Sequence, residues 1–94
     1  MLFAIVCIDK PEALEIRKSN REDHMAHVKG SHGAVVQAGP FLDSTGQIYG
    51  SLVIFEADDI STAQAWADAD PYAKAGAFQS VSVHLWNRVL VLTQ

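Results

Sequence analysis

A single cysteine, three prolines and seven basic residues in a chain of 94 exclude several kinds of protein before any motif is read. One cysteine cannot build a disulfide framework. Cys7 also lies inside the apolar run Leu2 to Ile8, where a thiol packs as a small hydrophobe and is expected to be inert. The lysines and arginines are scattered and the net charge is −4, with a pI of about 5.4. The basic stripe that holds nucleic acid or an anionic membrane surface is therefore missing. No apolar run approaches the roughly 20 residues of a membrane span. The chain opens on apolar residues, but no basic segment precedes them and Asp9, Lys10 and Pro11 stop them, so no signal peptide and a cytoplasmic location are expected. With 49% hydrophobic residues the length suits one small core, and residues 1–94 are expected to form one domain.

The few breakers organise what remains. Leu2 to Ile8 has strand length, and Pro11 suits the first position of a helix running to about Ser31, closed near Gly30. Ala34 to Ala38 reads as a second strand ended by Gly39-Pro40, followed by a turn-rich connection through Asp43, Ser44, Thr45 and Gly46. Ile48 to Ala57 reads as a third strand. Asp58 to Ser61 supplies N-cap residues, and Ser61 with Gln64 has the spacing of a capping box ahead of the helical stretch Thr62 to Ala69. The residue before a proline avoids the helical region, so that helix should stop by Asp70, with Pro71 opening a short turn toward Gly76 and a last strand from Phe78 to Val91.

The order β-α-β-β-α-β is that of a ferredoxin-like α+β domain, a four-stranded antiparallel sheet with two helices on one face. Alternation in the third strand sets Ile48, Leu52 and Ile54 against Tyr49, Val53 and Phe55. In the fourth it sets Val81, Val83 and Leu85 against Phe78 and Trp86. Both sheet faces are then apolar and two helices cover only one, which predicts a homodimer joined through the open face.

On the first helix Leu14, Arg17, Arg21, His24 and Val28 share one face, apolar at its ends and cationic in the middle. Such a stripe suits a polar pocket, and His24 admits three readings. It can be a half-buried imidazole held by one carbonyl. It can be a metal ligand with His27, three residues on, and either His32 or His84, although a catalytic zinc site needs three ligands of defensible spacing and only two are present. It can also exchange a proton near neutral pH with a carboxylate fixing its tautomer, for which Asp70 is the candidate. Asp70 is equally an N-cap bonding the amide of Tyr72 or Ala73. Arg21 reads alone as a solvated residue, while Ser51 and Tyr72 read as sheet and packing residues. Gly50 reads as a point of close backbone approach.

These residues carry a family resemblance across nearly the whole chain. The apolar first strand ending in an acid and a proline, then Arg21-x-x-His24, Ala38-Gly39-Pro40, Gly50-Ser51-Leu52-Val53-Ile54, the segment Ala65 to Gly76 containing Asp70-Pro71-Tyr72, and a closing strand with Trp86 together resemble a YciI-like (YCII-related) protein. The resemblance implies a dimeric α/β barrel and an active site built on the histidine and aspartate that match His24 and Asp70. Two features depart from it. The connection from Phe41 to Tyr49 is shorter than in many relatives, and Glu22-Asp23 replaces a common Pro-Ala pair beside His24.

The expected function is proton transfer by a His24–Asp70 acid/base pair on a small aromatic or enolic metabolite, of the lyase, isomerase or dehydrochlorinase kind. Arg21 serves as anion anchor, Ser51 and Tyr72 as binding residues, and no cofactor or metal is required. The alternative is a non-catalytic ligand-binding or regulatory dimer using the same pocket. A third possibility is a purely structural dimerisation module, which predicts no pocket between the first helix and the Asp70 turn.

Overall fold

Apolar side chains on alternate positions of the first strand, Phe3, Ile5 and Cys7, form the centre of the core. The computed structural model describes residues 1–92. Strand β1 (Leu2–Asp9) leads into α1 (Leu14–Lys29), the hairpin of β2 (Val35–Leu42) and β3 (Ile48–Glu56), α2 (Ile60–Asp68), a short α3 (Pro71–Lys74) and β4 (Phe78–Trp86). The sheet order is β2-β3-β1-β4 with every neighbouring pair antiparallel, which is the ferredoxin-like arrangement expected. The register sets Ile5 between Val53 and Val83, and Phe3 between Phe55 and Leu85, on the helix-facing side. Ala63 and Ala67 of α2 are buried in the same cluster, their small side chains letting the helix backbone approach the sheet. No helix among the described residues is long and apolar enough to cross a membrane.

Several element boundaries differ from the sequence reading, each for a local reason. Pro11 does not open α1. Lys10 N donates to Ala77 O at 2.9 Å, and the chain reverses through Glu12 in the left-handed region (φ 65°) before the helix starts at Leu14. At the other end Gly30 keeps a right-handed conformation, and the left-handed residues are His32 and Gly33. Strand β2 runs through Gly39-Pro40 instead of stopping there, because it is an edge strand and can spare one amide donor. The cap of α2 is Asp59, extended at φ −150° and accepting from Thr62 N at 2.8 Å, so the helix begins ahead of Ser61. Gln64 bonds Asp68 at 3.0 Å instead of closing a capping box. Strand β4 ends at Trp86, short of Val91.

Irregularities also move two side chains across the sheet. A register shift at Ile8/Asp9 turns Phe78 to the helix side with Val81 and Val83, not to the face of Trp86. A second shift, at Phe41/Leu42, turns Ile48 toward the space beneath α1, while Tyr49 stacks on Phe41 with ring centroids 5.6 Å apart. Gly50 is a point of close approach, since a β-carbon there would lie 2.3 Å from the carbonyl oxygen of Cys7. The open face carries Leu2, Ala4, Val6 and Ile8 of β1 beside Leu52 and Ile54 of β3. Trp86 and the more polar Ser80, Ser82 and His84 of β4 border them.

Candidate functional site

Helix α1 buries one side chain, Arg17, and it is charged. An amphipathic helix would ordinarily lay apolar residues onto the sheet. Here α1 packs against α3, and between α1 and strands β2 and β3 there is a cleft of about 470 Å³. Arg17, Lys18, Arg21 and His24 look into it from the helix, Ser51 and Val53 from β3, and Tyr72 from α3. Leu14, Met25, Val28, Val35 and Ile48 supply apolar wall. The cleft thus reaches the Asp70 turn through Tyr72.

The inner wall is built at the α2–α3 corner. Pro71 excludes the helical conformation from the residue before it, and Asp70 is extended at φ −60°, ψ 126°. From there its Oδ1 caps α3, accepting from the amide of Tyr72 at 2.9 Å. The same oxygen lies 3.0 Å from Nδ1 of His24, with Asp70 only 5% exposed. One oxygen thus makes both the capping contact and the contact with His24. The His24 ring stacks on Tyr72 with centroids 4.0 Å apart and planes 9° from parallel, so two contacts orient it.

Arg17 and Asp9 form the other fixed element. Nε and Nη2 donate to Oδ2 and Oδ1 of Asp9, each at 2.8 Å, in a bidentate pair with both side chains at least nine-tenths buried. The guanidinium carbon stands 5.0 Å from the Tyr72 ring centroid and 5.6 Å from that of Phe78. Burial works against the Arg17 charge, but the hydrogen bonds and charge of Asp9 outweigh it and raise the pKa above its ordinary value. Burial also lifts the Tyr72 phenol above its usual 10.0, opposed by Arg17 and Arg21. The buried Cys7 thiol rises from 9.0 to about 11, because desolvation exceeds the opposing hydrogen bond from Ser51. That keeps the thiol neutral at physiological pH and agrees with its reading as inert packing.

All five expected site residues meet at this place: His24, Arg21, Ser51 and Tyr72 line the cleft, and Asp70 stands behind His24. Arg21 is exposed at the rim. The remaining histidines lie elsewhere. His27 bonds Trp66 O at 2.9 Å and stacks on its ring, His32 sits in a turn, and His84 is 2.9 Å from Ser82 on the open face. Among the described residues no group of three His, Cys, Asp or Glu is placed to hold a metal ion. Sequence reasoning put Arg17 on the correct helix face but missed its fixation by Asp9. It also missed Lys18, which stands four residues after Leu14 and three before Arg21 and so lies at the stripe's own spacing.

Comparison with known proteins adds three observations. A family model described as YCII-related domain matches residues 1–87. Protein YciI of Escherichia coli O6:H1 and protein YciI of Shigella flexneri are each 41% identical over 97 residues, spanning 95% of this chain and 99% of theirs. The chain is also similar in structure to 5-chloro-2-hydroxyhydroquinone dehydrochlorinase (TftG) from Burkholderia phenoliruptrix AC1100, solved in complex with 2,5-dihydroxybenzoquinone. The TM-score is 0.85 at 32% identity, over 93% of this chain and 94% of that one.

Proposed function

The chain belongs to the YCII-related family, and from that premise we propose that it is an enzyme that moves protons on a small aromatic or enolic acid, with His24 as general acid/base and Asp70 as its orienting partner. The observation that carries this reading is the 3.0 Å contact between His24 Nδ1 and an Asp70 oxygen already fixed by the Tyr72 amide. An ionised carboxylate can only accept, so Nδ1 carries a proton, and in the neutral imidazole Nε2 then presents its lone pair. His24 lines the cleft, so that lone pair is available to a bound ligand, and Asp70 supports the imidazolium that forms when the proton is taken. Arg21 draws an anion to the rim, while Ser51 and Tyr72 contact the ligand inside. The fold is shared with an enzyme acting on a chlorinated hydroxyhydroquinone, which supports a planar oxygenated ring as substrate and proton-assisted loss of chloride as one form of the chemistry.

The test uses chlorinated and unsubstituted hydroxyhydroquinones with the purified chain, following chloride release and ring absorbance. His24→Ala is expected to lower turnover by about 10²–10⁴-fold, the usual contribution of a positioned acid/base, with little loss of binding. Turnover equal to wild type would remove His24 from the chemistry. Weakened binding without any measurable wild-type turnover would favour the ligand-binding alternative.

The proposal includes a homodimer through the open face of the sheet. That face holds an apolar groove of about 520 Å³ lined by Ala4, Phe41, Leu52, Ile54 and Trp86, and the fold is of the type found in dimeric α/β barrels. Sedimentation equilibrium at micromolar concentration is expected to give twice the 10.2 kDa chain mass, and a monomer would refute the pairing.

A further inference from the structure

We propose that Arg17 and Tyr72 form an oxyanion-binding pair at the inner end of the cleft, which holds one ring oxygen of a planar, singly charged acid. This rests on the reading of the cleft as a ligand site and adds to it the residue that sets ligand class and orientation. Arg17 is 8% exposed and Tyr72 is 5% exposed, whereas Lys18 and Arg21 stand exposed at the rim. Asp9 occupies Nε and Nη2 of Arg17 and leaves Nη1 without a hydrogen bond among the described residues. The guanidinium and the phenol of Tyr72 adjoin, and both its charge and its hydrogen bonding favour the ionised phenol, which leaves the phenol hydrogen free to be donated elsewhere. Among the described residues no buried side-chain nitrogen or oxygen is left without a hydrogen-bond partner. Nη1 therefore keeps accessible surface, and the cavity that Arg17 and Tyr72 both line is this cleft. Two adjoining buried donors, fixed by a bidentate ion pair on one side and a stacked ring on the other, are preorganised for an oxygen acceptor.

Charge narrows the class further. Asp9 offsets the charge of Arg17, and Asp70 offsets that of His24 when it is protonated. Lys18 is 3.7 Å from Glu15, which leaves Arg21 as the one cleft cation without an acidic partner among the described residues. Such a balance suits a phenolate, enolate or carboxylate, and it lacks the clustered cations that a phosphate dianion requires. The apolar wall from Met25, Val28 and Val35 suits the face of a ring.

The test is calorimetric titration of the full chain with 2,5-dihydroxybenzoquinone, paired with NMR of the arginine and histidine side chains. Wild type is expected to bind with a shift in the Arg17 side-chain resonances. Tyr72→Phe and Arg17→Lys should each weaken affinity by about tenfold or more, the usual loss for a hydrogen bond to a charged group. Tyr72→Phe keeps the ring against His24 and strands no charge, so it decides the matter if Arg17→Lys fails to fold. Equal affinity in wild type and Tyr72→Phe, unmoved Arg17 resonances, or no wild-type binding at millimolar probe would overturn the inference. Movement of Arg17 with an unmoved His24 ring would uphold the oxyanion pair and count against the acid/base reading, so the two fail separately.

Discussion

Asparagine at position 70 is expected to leave the urea midpoint close to wild type while lowering turnover about 10²–10⁴-fold, and alanine is expected to lower both. The difference follows from the two bonds that converge on one oxygen. Asp70 Oδ1 accepts from the Tyr72 amide at 2.9 Å and faces His24 Nδ1 at 3.0 Å. Asparagine retains a carbonyl oxygen there and ranks with aspartate as an N-cap, so α3 still starts where it does. What it loses is the charge that steadies a protonated imidazole. Alanine removes the acceptor itself, which costs about 1 kcal/mol for the cap and about 1–3 kcal/mol for a buried donor left without a partner. Urea unfolding and turnover measured on the same preparations separate the effects. Wild-type turnover in Asp70→Asn would show that the carboxylate charge takes no part.

A larger loss of stability is expected at Asp9. The Asp9–Arg17 pair is buried on both sides, and Asp9→Leu would leave a guanidinium between Tyr72 and Phe78 with no carboxylate. Breaking one partner of a buried pair costs about 3–5 kcal/mol, set against about 5–15 kcal/mol for a whole domain. The double variant Asp9→Leu/Arg17→Met should recover much of that loss, because no buried charge then remains uncompensated. Its fold should therefore outlast the single variant in urea while the cleft loses a donor. Equal destabilisation in single and double variants would mean that the two side chains are not energetically coupled.

Much of the architecture was legible because the chain's punctuation is sparse and strong. The run Leu2 to Ile8, the cap before the alanine-rich helix and Asp70-Pro71 each carry a local physical signal, and each marks an element close to where it occurs. Boundaries moved where tertiary context decides. Gly39-Pro40 reads as the end of a strand, but a proline cannot donate to a ladder and on an edge strand only one side of the backbone needs pairing, so β2 continues. Phe78 changed face because a register shift interrupts the period of two, and nothing in the side-chain pattern announces it. The His24 and Asp70 pairing was approachable from a polar interruption of a helical stripe, a residue before proline and the family resemblance. The Arg17 and Asp9 pairing was not. The two residues are eight positions apart across a strand end, a left-handed turn and a helix start, and no helix or strand spacing encodes that contact.

The sharing of one Asp70 oxygen bears on how this corner tolerates change. Functional groups in binding sites are commonly strained or unsatisfied, so replacing them often stabilises a protein while inactivating it. Asp70 has no such release, because the atom that holds the imidazole also holds the first turn of α3. Selection for a sturdier fold and selection for a well-aimed His24 act there in the same direction. Position 70 should therefore keep a side-chain acceptor, Asp or Asn, even under conditions that demand nothing but folding, and the carboxylate itself only where turnover is selected.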